Sequence, residues 1–194
     1  MTLTDTYKAL LGRFGRQNWW PAETQFEVVV GAILTQNTNW KNVEKALNNL
    51  KKENALEAET IIGININTLE KLIRPSGFYK QKAQRLKRIS EWYLQVDKTK
   101  PLKELRKELL NINGVGEETA DSILLYALEK PIFVIDAYTK RFCKEQRLFE
   151  GKTYSEYQEY FHNNLEKEIK LFKEFHALIV EWGKANRKNN KQEI

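Results

Sequence analysis

The chain reads as a succession of apolar stripes at helical spacing, broken by short polar stretches. Tyr7, Leu10, Leu11 and Phe14 fall on one face of a turn of 3.6 residues, which predicts a helix over 4–14. Val43, Ala46, Leu47 and Leu50 predict another over 39–51, and Ala83, Leu86, Ile89, Tyr93 and Val96 a third over 81–96. Helices are also expected over 68–73, 102–110, 117–128, 136–143, 154–167 and 171–184. The run Phe26–Leu34 is almost wholly apolar and fits a buried helix or a strand. Its valines favour strand, but no partner strand lies nearby and propensity is a weak guide, so helix is the expectation. Residues 15–21, with Trp19 and Trp20, read as irregular, and the polar stretch from Asn186 as frayed.

Composition sharpens this to an all-α fold. Nine glycines and four prolines are too few for the turns of an all-β protein, while helix formers recur throughout. A length of 194 residues suits one domain or two small lobes. The single cysteine, Cys143, rules out a disulfide framework and any cysteine-rich zinc or iron–sulfur site. With no leader-like N-terminus and no membrane-length apolar run, a soluble, cytoplasmic protein is expected. A net charge of +6 adds only a mild hint of an anionic partner.

The stretch Leu109-Leu-Asn-Ile-Asn-Gly-Val-Gly-Glu-Glu-Thr-Ala-Asp-Ser-Ile-Leu changes the picture more. It places a helix, a Gly-Val-Gly turn and a second helix in succession. Gly114 and Gly116 permit a tight turn and leave amide N–H groups uncovered, and the following helix N-terminus favours an anion. Val115 is expected to pack between the helices and Thr119 to offer its hydroxyl to a phosphate. Such a grip reads no bases. A plain interhelical turn is the alternative for Gly-X-Gly taken alone.

This segment resembles the helix-hairpin-helix of the endonuclease III superfamily of DNA glycosylases. Three further stretches resemble that family's signatures: Gly31-Ala-Ile-Leu-Thr-Gln-Asn-Thr38, Ser76-Gly-Phe-Tyr-Lys-Gln-Lys-Ala83, and Pro131-Ile-Phe-Val-Ile-Asp136-Ala-Tyr-Thr-Lys-Arg141. All four occur in the family's order. The wording around Trp19-Trp20-Pro21, Arg74-Pro-Ser-Gly-Phe-Tyr and Phe175-His-Ala-Leu-Ile-Val-Glu is most similar to the 3-methyladenine DNA glycosylase III branch.

The resemblance implies two helical lobes, 23–135 with the hairpin near 102–128, and 1–22 plus 136–194, with an active-site cleft between them. It implies Asp136 as the catalytic carboxylate, opposing the charge that develops on the sugar. An Asp beginning a helix is also a natural N-cap, and both roles can hold. Gln36 would fill the gap left by the flipped base. Lys82 and Arg85, in a run of basic residues from Arg74 to Arg88, would contact backbone phosphates, although such a run is usually a solvated face. Trp19, Trp20 and Trp40 are candidate walls of the base pocket and equally candidate core residues. Lys184 would border that pocket or remain solvated, and His176 reads as core or pocket wall.

Departures from the family narrow the activity. Bifunctional members carry a nucleophilic lysine in the hairpin's second helix, and Glu118 stands there instead, which implies a glycosylase without lyase activity. With Cys143 alone, no iron–sulfur cluster is expected, and no other metal or cofactor, although the hairpin backbone would accommodate a monovalent cation. The expected partner is double-stranded DNA carrying a damaged, alkylated purine, bound by a monomer with no membrane. Two rivals remain: an endonuclease III-like glycosylase and lyase acting on oxidised pyrimidines, and a non-catalytic DNA-binding module.

Overall fold

A computed structural model describes residues 2–189, among which there are eleven α-helices and no strand. They are α1 (Leu3–Phe14), α2 (Gln25–Leu34), α3 (Trp40–Lys52), α4 (Ala58–Gly63), α5 (Ile66–Ile73), α6 (Tyr79–Gln95), α7 (Leu102–Leu110), α8 (Glu117–Ser122), α9 (Ala137–Glu145), α10 (Tyr154–Asn164) and α11 (Ile169–Asn189). A 3-10 turn, Arg74–Ser76, follows α5, and a π turn, Ile123–Ala127, follows α8. The chain divides into two compact units, 22–128 and 1–21 with 129–194.

In the unit 22–128, α2 is the central element. Every residue from Phe26 to Leu34 is buried, so the helix carries no polar face and its sequence shows no stripe. Thr24 caps it by accepting from the Glu27 amide. Val43, Leu50, Leu69, Ile73, Leu86, Ile89, Leu105 and Leu109 supply the apolar faces of α3, α5, α6 and α7. Helix α4 escapes the periodicity because its six residues bury only Ala58 and Ile61, too few to form a repeat.

The second unit joins α1 to α9, α10 and α11. Capping boxes start α1 at Thr2 and Asp5 and α10 at Thr153 and Glu156. Its core is aromatic: Phe133 stacks on Phe161 at 4.0 Å and meets Phe172 and Phe175 edge-on. Because Phe133 packs there, residues 129–135 group with the termini and not with the hairpin unit, which ends at Leu128. Helix α11 continues through Asn186 to Asn189, and residues 190–194, the rest of the stretch expected to fray, lie outside the described residues.

Candidate active site and nucleic-acid interface

The hairpin joins α7 to α8 through a turn closed by Val115 N–H donating to Ile112 O. Val115 is buried, as its apolar side chain between the two helices requires. Gly114 takes φ +94, and a Cβ there would sit 2.4 Å from Arg85 Nε, so the missing side chain makes room for an arginine from α6. Gly116 is exposed, with open space where a Cβ would be. Arg106 on α7 grips the fully buried Asp121 of α8 with two bonds, at 2.7 and 3.1 Å, fixing the helices that carry the turn.

Gln36, just past α2, is drawn into the hairpin. Its amide nitrogen donates to Gly114 O and Thr119 Oγ1, each at 3.0 Å, and its carbonyl accepts from Arg85. Thr119 is buried and its hydroxyl accepts from Gln36, so in this structure Thr119 holds Gln36 in place. Phe78 is 62% exposed at φ +46, between Gly77 and α6. Its signal in the sequence, which no expectation used, is an aromatic within a polar, basic segment.

Lys82 corrects the expected phosphate contact. It is 1% exposed and donates to Leu34 O at 2.8 Å and Ser76 O at 2.7 Å, joining the ends of α2 and the 3-10 turn to α6. It therefore has no surface to offer DNA. Burial, with Arg85 nearby, lowers its pKa to about 8. Between that value and 10.5 the unfolded chain binds more protons than the folded one, so this lysine's contribution to stability grows as pH rises through that window. Lys87 is likewise structural, donating to Ile62 O and Ile64 O at the end of α4. Lys80 and Arg88 are exposed. Lys82→Ala should thus lower stability by about 2–4 kcal/mol, leaving two buried carbonyls without a donor, and leave the salt dependence of duplex binding unchanged. Lys80→Ala or Arg88→Ala should do the reverse, flattening the slope by about one ion each. Thermal melts and salt titrations of the three variants check this.

In the other unit, Asp136 is the N-cap of α9. Its Oδ1 accepts from the Thr139 amide at 2.7 Å and the Thr139 hydroxyl at 2.9 Å, while Oδ2 lies 3.5 Å from His176 Nε2. Burial pushes this carboxyl up, but His176 and the Thr139 bonds outweigh it and hold the pKa below the ordinary 3.8. His176, on α11 and 4% exposed, faces Trp19 at 5.9 Å and 13°. Trp19 in turn stacks on Trp20 at 5.3 Å and 5°. Gly183 permits the approach of α9 to α11, since a Cβ there would lie 2.2 Å from the Tyr138 ring.

Lys184 sits over the other part of this surface, its Nζ 5.9 Å from the Trp19 ring. Gln17, Trp19, Ala177, Val180, Glu181 and Lys184 line a cavity of about 70 Å³. The structure thus brings Asp136 and Trp19 to His176, with Trp20 and Lys184 reaching the same cluster through Trp19. Trp40 belongs to the hairpin unit, in the first turn of α3, with its indole N–H on Glu44 at 2.8 Å. The Asp136–His176 pairing was invisible in the sequence, because two helices far apart in the chain supply it.

Among the described residues no group of His, Cys, Asp and Glu could hold a metal ion, and no helix is long and apolar enough to cross a membrane. Cys143 is buried, with its thiol pushed up to about 12, and one such thiol does not fit a four-thiolate iron–sulfur cluster.

Comparison with known proteins adds a family to this geometry. Residues 30–167 match the HhH-GPD superfamily of base excision DNA repair proteins. A Methanocaldococcus jannaschii protein described as a candidate DNA repair glycosylase is 55% identical over 184 residues, 90% of this chain and 84% of its own. Endonuclease III of Thermotoga maritima is 28% identical over 159 residues, 82% of this chain and 73% of its own. Among solved structures, H. pylori 3-methyladenine DNA glycosylase bound to 1,N6-ethenoadenine is similar with a TM-score of 0.81 and 31% identity, covering 96% of this chain and 99% of that one.

Proposed function

The chain belongs to the HhH-GPD superfamily of base excision DNA repair proteins, and within that family of DNA glycosylases we propose that it hydrolytically excises alkylated, 3-methyladenine-type purines without cutting the strand. The observation that carries this reading is the Asp136 carboxylate held beside His176 and the stacked Trp19–Trp20 pair. Electron-rich indole faces suit a flat, cationic base. A ring already positive leaves as a neutral base, so no strong general acid is needed. A carboxylate kept ionised opposes the charge that grows on the sugar as the glycosidic bond breaks, and water completes the exchange. The H. pylori enzyme that is similar over nearly its whole length takes 3-methyladenine, which supports the same substrate class.

The hairpin's open turn at Gly116 and the N-terminus of α8 would hold a phosphate, leaving sequence unread. Gln36 would have to exchange its hairpin bonds for the vacated stack, and Phe78 offers an apolar wedge to the opposing bases. Duplex DNA with one damaged base, engaged by a single copy of the chain, is the partner in this reading.

Absence of strand cutting rests on Glu118. It is exposed in the first turn of α8, at the position where bifunctional relatives carry their amine, and a carboxylate forms no imine. The relatives named endonuclease III favour a second reading, a lyase acting on oxidised pyrimidines. One experiment separates them. Methylated duplex should lose base and keep its strand until alkali is added, and borohydride should trap no protein–DNA adduct. Strand cleavage keeping pace with base release, together with trapping, would overturn the proposal; release only of oxidised pyrimidines would overturn the substrate class.

A further inference from the structure

The four residues that precede Asp136 are buried without belonging to a helix or a sheet. Ile132, Phe133, Val134 and Ile135 are each at most 3% exposed. A buried extended segment needs partners for its peptide groups, and here three side chains of α10 supply them. Phe133 N–H donates to His162 Nε2 at 2.9 Å, Phe133 O accepts from Gln158 Nε2 at 2.7 Å, and Ile135 N–H donates to Tyr154 Oη at 3.2 Å. These residues are four apart, so they share one face of α10. Four residues of helix rise about 6 Å and two of extended chain about 6.6 Å, which lets the face run in register with the segment. The order is antiparallel: the start of α10 meets Ile135, its far end Phe133.

His162 accepts at Nε2, so its ring proton lies on Nδ1, and the ring is stacked on Phe172 at 5.6 Å and 9°. The carboxylate at the end of the segment is thereby held from two sides. Thr139 binds Oδ1 from the helix that follows, and α10 fixes the backbone that precedes it.

We propose that Tyr154, Gln158 and His162 are positioning residues for Asp136, acting through the backbone of residues 133–135. The inference rests on the reading of Asp136 as the carboxylate that faces the sugar. It accounts for how a carboxylate at the end of an unpaired segment keeps one orientation, which stabilisation of a developing charge requires.

The test uses the full chain with Tyr154→Phe, His162→Phe and their combination, which keep the rings and remove the acceptors, and His162→Gln, whose amide oxygen can replace Nε2. Two readouts are taken: hydrogen exchange at the buried Thr139 amide, which reports the cap on Asp136 directly, and single-turnover base release. The double variant should exchange at Thr139 about tenfold faster and release base about tenfold more slowly, with abasic-site binding within about twofold. His162→Gln should stay near wild type in both. Unchanged Thr139 exchange in the double variant overturns the inference. So does equal loss in His162→Gln and His162→Phe, which would show that restoring an acceptor at this position does not restore the positioning. Asp136→Asn is measured alongside: if it retains release while the double variant still loosens Thr139, the reading of Asp136 has failed and the positioning has not.

Discussion

Asp136→Asn should slow base release from methylated DNA by about a hundredfold or more, while leaving affinity for an abasic duplex within about twofold. The change removes one negative charge and little else. Asparagine is as good an N-cap as aspartate, and its carbonyl can still accept from the Thr139 amide, so α9 keeps its start. What is lost is the charge facing Oδ2's surroundings, where burial multiplies the effect of a fixed ion on a developing cation. Single-turnover release and equilibrium binding check the split, and near wild-type release would remove Asp136 from the chemistry. The same variant has a pH signature. The folded carboxyl titrates below its unfolded value of 3.8, so its stabilisation is present above that pH and disappears as pH falls through the folded pKa. Asp136→Asn should therefore weaken the acid dependence of the melting temperature, a result independent of any activity.

Gly114→Ala should lower affinity for any duplex, damaged or intact, by about tenfold or more, and lower stability by about 1–2 kcal/mol. At φ +94 an alanine is strained whatever its surroundings, and its methyl would meet the middle of the Arg85 side chain. Arg85 cannot yield without releasing the Gln36 carbonyl, and Gln36 in turn holds Gly114 O and Thr119. One added carbon thus disturbs the whole cluster. Gly116→Ala is the control: φ −93 is ordinary and the space is open, so the melting temperature should hold and only DNA binding should fall. Equal melting losses in both variants would refute the role given to the Arg85 slot.

The helices with one apolar face were legible because their burial is periodic, and α3, α6 and α7 follow the sequence closely. Helix α2 lay at the edge of legibility, since burial on every side erases the stripe that separates helix from strand. The Lys82 correction could have been foreseen from spacing: it precedes Leu86 by four and Ile89 by seven, on the apolar stripe of α6, yet the basic run around it drew attention to charge. Thr139, the pairing of His176 with Asp136 and the α10 side chains were out of reach for another reason. Their roles come from contacts between segments that no local pattern relates. Glycines 114 and 116 look equivalent in the motif, and only the structure separates a slot for an arginine from an open turn.

The unit that holds Asp136 is sewn from both ends of the sequence, with Gln17 N–H donating to Glu174 Oε1 across 157 positions. Translation therefore delivers the protein's two capacities at different times. The continuous stretch 22–128 leaves the ribosome whole and can settle first, with its glycine-rich hairpin turn in place. Trp19 and Trp20, made before any of it, must wait for His176 on α11 before they have a face to stack against. Closing so long a loop is slow by nature. On the proposed reading of the two sites, a nascent chain of this protein would gain its hold on a phosphate backbone well before it gained the means to break a glycosidic bond.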